Sequence, residues 1–237
     1  MKWVKDQTGR FSVRPHYLPE ELDSECEKLI TDFLLQRHRT IEYPISTDDI
    51  TVLIETLTDD LDLYADLSQE EGDVEGVTDF LPRHRPKVKI SRELALDPRM
   101  SNRLRTTLTH ELGHVKFHAF MYDSETSGNL FSSAAAVISN KCKRDNMLGP
   151  LKADWMEWQA GFSCGAFLMP VTALRATVRR FLEEHEISIG QFEASTSEAQ
   201  RLISTVSNTY AVSREAARVR LLQQGTLSEA ALPAALF

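Results

Sequence analysis

Hydrophobic residues recur at helical spacing in several long segments of the chain. After Pro19 the apolar positions fall three and four residues apart, which predicts a helix that begins near this proline. The segment STDDITVLIETL predicts a second, shorter helix with Ser46 or Thr47 as its cap. Two further helices are predicted, one that starts after Asp97 and contains HELGH, and one over about 152–169.

Short segments in which apolar and polar residues alternate lie between the second and third helices. LDLYADL, GVTDFL and KVKIS are separated by Gly and Pro, and they predict a small, mostly antiparallel sheet. Residues 123–150 are rich in Ser, Asn and Gly, which predicts a long connection. After Pro170 the pattern is again helical. The order of elements predicts an α+β fold, with one domain over 1–175 and a helical C-terminal region over 176–237.

The composition is typical of a folded globular protein, with 42% hydrophobic and 26% charged residues. The N-terminal segment lacks the apolar stretch of a secretory signal, and no eighteen apolar residues run together, so we expect a cytoplasmic protein without a membrane span. A formal charge of −8 argues against nucleic-acid binding as the main function. Three cysteines at wide spacings predict neither a disulfide framework nor a cysteine-based zinc finger.

The segment TLTHELGHVKFH contains the pattern HExxH. Residues four apart lie on one face of a helix, so the imidazoles of His110 and His114 can bind the same metal ion. Glu111 stands beside the first of them, where the carboxylate in such motifs acts as general base toward the attacking water. The pattern therefore predicts a zinc site, with manganese as the alternative metal.

A catalytic zinc ion takes three protein ligands and keeps one position open. His118 is not expected to be the third, because the helix carries it about 6 Å along and about 40° further around from His114. Glu157 is the better candidate, since an unpaired carboxylate is unfavourable in so apolar a helix, and the small residues after it allow two helices to approach closely. Asp154 is the alternative third ligand.

The segments TLTHELGHVKFH and EWQAGFSCGAFLMP, with YAVSREAARVRLLQQG further on, resemble the ImmA/IrrE family of bacterial metallopeptidases. The resemblance covers roughly residues 61–225. It implies a zincin-like fold in which His110, His114 and Glu157 bind the metal and Glu111 is catalytic. The chain departs from the family pattern at Gly161, where an asparagine is usual, and at Ser163, where an aromatic residue is usual.

Members of this family cut helix-turn-helix repressors of mobile elements or stress responses in the cytosol, so the resemblance implies a zinc endopeptidase with a protein substrate of that kind. A different interpretation is a DNA-binding or partner-binding regulator in which the metal is structural. It is suggested by the helix-turn-helix-like pattern near the C-terminus, with Arg214, Arg218 and Arg220 on its second helix. From residue 196 to 237 four arginines and three acidic residues give a net charge of only about +1, so direct nucleic-acid binding is not expected.

Overall fold

The computed structural model describes residues 1–70, 72–125, 138–143, 154–188 and 191–229, and shows an α+β fold as predicted. The helices in these ranges are α1 (Pro19–His38), α2 (Thr47–Leu57), α3 (Arg92–Leu96), α4 (Ser101–Glu125), α5 (Trp155–Leu168), α6 (Val171–Glu184), α7 (Ser197–Tyr210) and α8 (Arg214–Gln223). The strands are β1 (Lys2–Lys5), β2 (Val13–His16), β3 (Asp60–Ala65), β4 (Val74–Phe80), β5 (Lys87–Ser91), β6 (Ile138–Lys143), β7 (Phe192–Glu193) and β8 (Leu227–Ser228).

The main sheet has four strands in the order β3-β5-β4-β6. Strand β4 is antiparallel to both of its neighbours, while β3 runs parallel to β5, so the sheet is mostly antiparallel as predicted. Because side chains alternate along a strand, Gly76 and Thr78 lie on one face of β4 and Val77 on the other. The face with Gly76 and Thr78 is packed against α4.

Helix α4 carries HELGH and passes through the centre of the protein, between β4, α2 and α5. Every residue from Arg105 to Val115 is buried, including the polar ones, so this helix has no solvent face along that stretch. Helix α5 approaches it very closely: a Cβ atom on Gly113 would lie 3.0 Å from the Cα of Ala160. Small residues on both helices therefore permit the contact, as the sequence predicted for α5.

Helix α5 is apolar and mostly buried, and it ends at Leu168, just before Pro170. Met156, Ala160 and Ala166 have no exposed surface. Within the described ranges no single helix is long and apolar enough to cross a membrane, although α5 and α6, bent by 57°, would together meet that test of length and composition.

Two buried arginines tie the C-terminal helices to the rest of the fold. Arg105 of α4 donates to the backbone carbonyls of Ile45 and Tyr210, the latter at 3.1 Å. Arg220 of α8 donates to Asp23 of α1 at 2.5 Å and is only 1% exposed. Helices α7 and α8 thus share buried contacts with α1 and α4, while the division of the chain near residue 175 stays a prediction.

Candidate metal centre

Three side chains on α4 and α5 converge on one point. The Nε2 atoms of His110 and His114 are 3.2 Å apart; Oε2 of Glu157 lies 3.3 Å from the first, and Oε1 of Glu157 lies 3.3 Å from the second. Both histidines are fully buried, and the side chain of Glu157 is 8% exposed. The structure therefore brings together the three residues that the sequence predicted as ligands.

The spacing of these atoms fits a single metal ion. In a tetrahedral zinc site with bonds of about 2.0–2.2 Å, neighbouring ligand atoms lie about 3.3–3.6 Å apart. The distance between the two imidazole nitrogens, and the distance from each nitrogen to its neighbouring oxygen of Glu157, fall within about 0.1 Å of that range. Two imidazole lone pairs and a carboxylate that face one another repel unless a proton or a cation lies between them, so this donor set suits a divalent metal.

The pKa values of Glu157 and His114 are shifted by their contacts with each other. Burial alone would raise the pKa of the Glu157 carboxyl, but hydrogen bonds with His110 and His114 hold it well below its usual range. Burial lowers the pKa of His114, yet the contact with Glu157 outweighs that effect and raises it overall. Glu157 is therefore present as a carboxylate, the form that binds a cation.

Glu111, the predicted general base, lies in a cradle formed by strand β4. Its Oε2 accepts a hydrogen bond of 2.5 Å from the hydroxyl of Thr78, and a Cβ atom on Gly76 would lie 2.9 Å from its Cδ. The side chain is fully buried, and burial raises the pKa of its carboxyl, against the opposing effects of His114, His110 and the Thr78 hydroxyl. A raised pKa suits a group that must accept a proton and then release it.

Replacing Gly76 with alanine is expected to displace the Glu111 carboxylate while leaving the protein folded. The added methyl group meets only the far end of a flexible side chain, so we expect a loss of about 1–3 kcal/mol in unfolding free energy. Misplacing the base should lower the peptide-cleavage rate by about 10²-fold. Gly165→Ala is the control, because its methyl group would make only an ordinary contact with Arg220. Equal rates for Gly76→Ala and the wild type would contradict the role given to this cradle.

His118 does not belong to the group of three ligands, in agreement with its predicted position. It is fully buried behind His114, with its Nδ1 atom 2.9 Å from the Nδ1 of His114 and its Nε2 atom 3.1 Å from Oε1 of Gln159. Burial and the nearby His114 lower the pKa of His118 well below its usual range, so its imidazole is neutral. Neither Gln159 nor a role for His118 was predicted from the sequence.

Asp154, the alternative third ligand, has a different place. It caps α5 by accepting hydrogen bonds from the backbone N–H groups of Met156 and Glu157, and it forms an ion pair with Arg10. Arg10 lies in the turn between β1 and β2, so the N-terminal hairpin is attached to the helix that carries Glu157. Asp154 therefore orients that helix and stands outside the group of three ligand atoms.

The resemblance to ImmA/IrrE peptidases rests on HELGH and on the helix that carries Glu157. These two segments meet in the structure, at the point where His110, His114 and Glu157 converge. The family assignment itself stays a prediction, since no protein-family model matches the chain and no curated protein matches its sequence.

Proposed function

We propose that this protein is a zinc-dependent endopeptidase with a zincin-like active site. The observation that carries the proposal is the convergence of His110, His114 and Glu157 at 3.2–3.3 Å, with Glu111 held next to them by Thr78. The set contains two imidazoles, one carboxylate ligand and one further carboxylate, that of Glu111, which is hydrogen-bonded to Thr78. This is the composition of the zinc sites in HExxH peptidases.

Each residue has a separate role in the proposed reaction. His110, His114 and Glu157 would hold zinc, or manganese in its place, and the ion supplies Lewis-acid chemistry that polarises the scissile carbonyl. Glu111 takes a proton from the attacking water and passes it to the leaving amine. Thr78 and Gly76 keep the Glu111 carboxylate in place for both transfers, the first by its hydroxyl and the second by having no side chain.

A purely structural metal is the main alternative, and the ligand count argues against it. Structural zinc sites are closed by four protein ligands, whereas catalytic sites have three and an open position. Among the described residues, the group of converging His, Cys, Asp and Glu side chains has three members. His118 directs its Nδ1 at His114 and its Nε2 at Gln159, so it is engaged on the far side of His114.

The proposed substrate is a helix-turn-helix repressor, which follows from the resemblance to ImmA/IrrE peptidases. The C-terminal helices favour a protein partner over DNA. Arg220 is buried and forms an ion pair with Asp23, and Arg218 forms one with Glu215. Arg214 donates hydrogen bonds to Ser204 and Gln200. The three arginines on the second helix of the helix-turn-helix-like segment thus make contacts within the protein, and two of them are paired with carboxylates, which reduces the positive charge that could bind phosphates.

Metal content tests the proposed ligands directly. After removal of metal and reloading with zinc, the wild type should contain about one zinc per chain. Both His114→Ala and Glu157→Ala should lower this stoichiometry severely and to a similar extent, because each removes one of three ligand atoms. The measurement is elemental analysis of dialysed protein, with circular dichroism to verify the fold.

The control for this series is Asp154→Asn, which keeps the cap of α5 while changing the other acidic residue near the site. It should retain full zinc content. Full occupancy in Glu157→Ala together with loss in Asp154→Asn would replace Glu157 by Asp154 as the third ligand.

A further inference from the structure

A row of buried hydrogen bonds runs from His114 away from the ligand group to the N-terminal hairpin. The Nδ1 of His114 meets the Nδ1 of His118 at 2.9 Å, and the Nε2 of His118 meets Oε1 of Gln159 at 3.1 Å. The Gln159 amide nitrogen then donates to the backbone carbonyl of Pro15 at 3.1 Å. His114 and His118 have no exposed surface, and Gln159 is 1% exposed.

The carbonyl of Pro15 sets the direction of these hydrogen bonds. A carbonyl oxygen can only accept, so the Gln159 side chain must present its NH₂ group to Pro15 and its oxygen to His118. That oxygen can also only accept, and the proton in the next bond therefore belongs to the Nε2 atom of His118.

The same reasoning extends to His114. A neutral imidazole that carries its proton on Nε2 has a lone pair on Nδ1, so the Nδ1 of His118 accepts and the Nδ1 of His114 donates. When His114 is neutral, as a metal ligand must be, its one proton is thereby placed on the nitrogen remote from Glu157. Its Nε2 atom, which lies 3.3 Å from Glu157 and 3.2 Å from the Nε2 of His110, carries the lone pair that a metal needs.

We propose that His118 and Gln159 are positioning residues that fix His114 in its Nδ1–H tautomer and so prepare its Nε2 atom for the metal. This inference rests on the proposed metal site but not on peptide cleavage. Metal-binding histidines commonly donate their second N–H to a carboxylate or a carbonyl. Here the second N–H is donated to another histidine, His118. The direction of that hydrogen bond is set by Gln159 and the carbonyl of Pro15.

The two proposed ligands from α4 differ in this respect. The Nδ1 atom of His110 is buried and has no hydrogen-bond partner among the described residues. Within the described part of the chain, no hydrogen bond to Nδ1 helps to orient the ring of His110, whereas the ring of His114 is held at Nδ1 by His118. Changes at His118 and Gln159 should consequently act through His114.

Two substitutions of His118 separate hydrogen bonding from packing. His118→Asn places an amide oxygen near the former Nδ1 position, where it can still accept from His114, and should keep most of the zinc affinity. His118→Phe fills the space of the ring but removes the acceptor, and should weaken zinc binding by about 10–100-fold. If His118 served only to pack against Trp155, with its ring 5.4 Å away, phenylalanine would be the better tolerated of the two. Unchanged affinity in His118→Phe overturns the proposal.

Zinc affinity of the full-length protein is measured by competition with a chromophoric chelator. The matched control is Phe117→Leu, which alters a fully buried ring on the same helix that packs against Tyr17 instead of the ligands. It should leave zinc affinity unchanged. An equal loss in Phe117→Leu and His118→Phe would mean that the effect is a general loss of packing, which overturns the proposal.

Histidine ¹⁵N NMR of the zinc-loaded protein reads the direction of the bond without any variant. We expect His118 to be protonated on Nε2 only, with a scalar coupling across the hydrogen bond between the two Nδ1 atoms of His114 and His118. A proton on Nδ1 of His118 overturns the proposal. Failure of the wild type to bind zinc overturns both this proposal and the proposed function, whereas an intact coupling in a protein that cleaves no peptide overturns only the proposed function.

Discussion

Replacing Glu111 with glutamine is expected to lower the rate of peptide cleavage by about 10²–10⁴-fold without loss of bound zinc. The amide has the same shape as the carboxylate and can still accept from Thr78, but it cannot take a proton from water. His110 and His114 are unchanged, so the metal should remain. The measurement compares cleavage of helix-turn-helix repressors and of a peptide library, read by mass spectrometry, with zinc content of the same samples.

The matched control for this variant is Glu25→Gln. Glu25 is an exposed carboxylate of α1 that pairs with Lys116 on α4, so the same chemical change touches the same helix outside the group of proposed ligands. It should leave both cleavage and zinc content as they are in the wild type. Full cleavage by Glu111→Gln would remove this residue from the mechanism, while loss of zinc would assign it a structural role.

Replacing Arg220 with methionine is expected to lower the free energy of unfolding by about 3–5 kcal/mol. Arg220 and Asp23 are buried, and Arg220 also donates to the carbonyl of Met169 and lies over the ring of Phe162. Without the guanidinium, Asp23 keeps one donor, the side-chain amide of Gln224, and is left as a buried charge without a counter-charge. Urea denaturation followed by circular dichroism measures the loss.

Two further variants make that measurement specific. Arg218→Met removes a partly exposed arginine from the same helix and should change stability by less than about 1 kcal/mol. The double variant Asp23→Leu, Arg220→Met replaces the whole buried pair by apolar groups and should recover much of the loss. If Arg220→Met were no less stable than Arg218→Met, the buried pair would have no stabilising role.

The helices with clear starting and stopping residues were predicted well from the sequence. Helix α1 begins at Pro19, α2 is capped by Ser46, and α5 ends before Pro170, all as expected. These signals are local, because a proline or a capping side chain acts on its own helix. The order of the strands in the sheet is set by contacts distant in sequence, and it could not be predicted from alternation alone.

The short strand pairs were not predicted, and their sequences explain why. Strands β1 and β2 have four residues each, β2 contains Pro15, and β7 and β8 have two residues each. Segments of this length show too few alternating positions to distinguish a strand from a turn. The hairpin of β1 and β2 is held by tertiary contacts, such as the rings of Phe11 and Tyr122, whose centroids are 5.3 Å apart.

The candidate site was predictable where its residues share one helix and less so elsewhere. His110, Glu111 and His114 follow from the spacing within HELGH. Glu157 was identified because a carboxylate is unfavourable in so apolar a helix unless it has a partner. That signal does not show which residues the partner would be. The supporting residues Gly76, Thr78 and Gln159 have no signature in the sequence, because their function depends on which side chain happens to lie opposite them.

The ion pair between Asp23 and Arg220 joins residues 197 positions apart, which bears on how the protein is made. On a ribosome, α1 emerges before α8 has been synthesised. The carboxylate of Asp23 therefore has no Arg220 to pair with until synthesis has passed residue 220. Glu157 likewise follows HELGH only after a long further stretch of chain. A nascent chain therefore carries the two histidines before it has the third side chain of the group, and it cannot complete the proposed site until Glu157 has been synthesised.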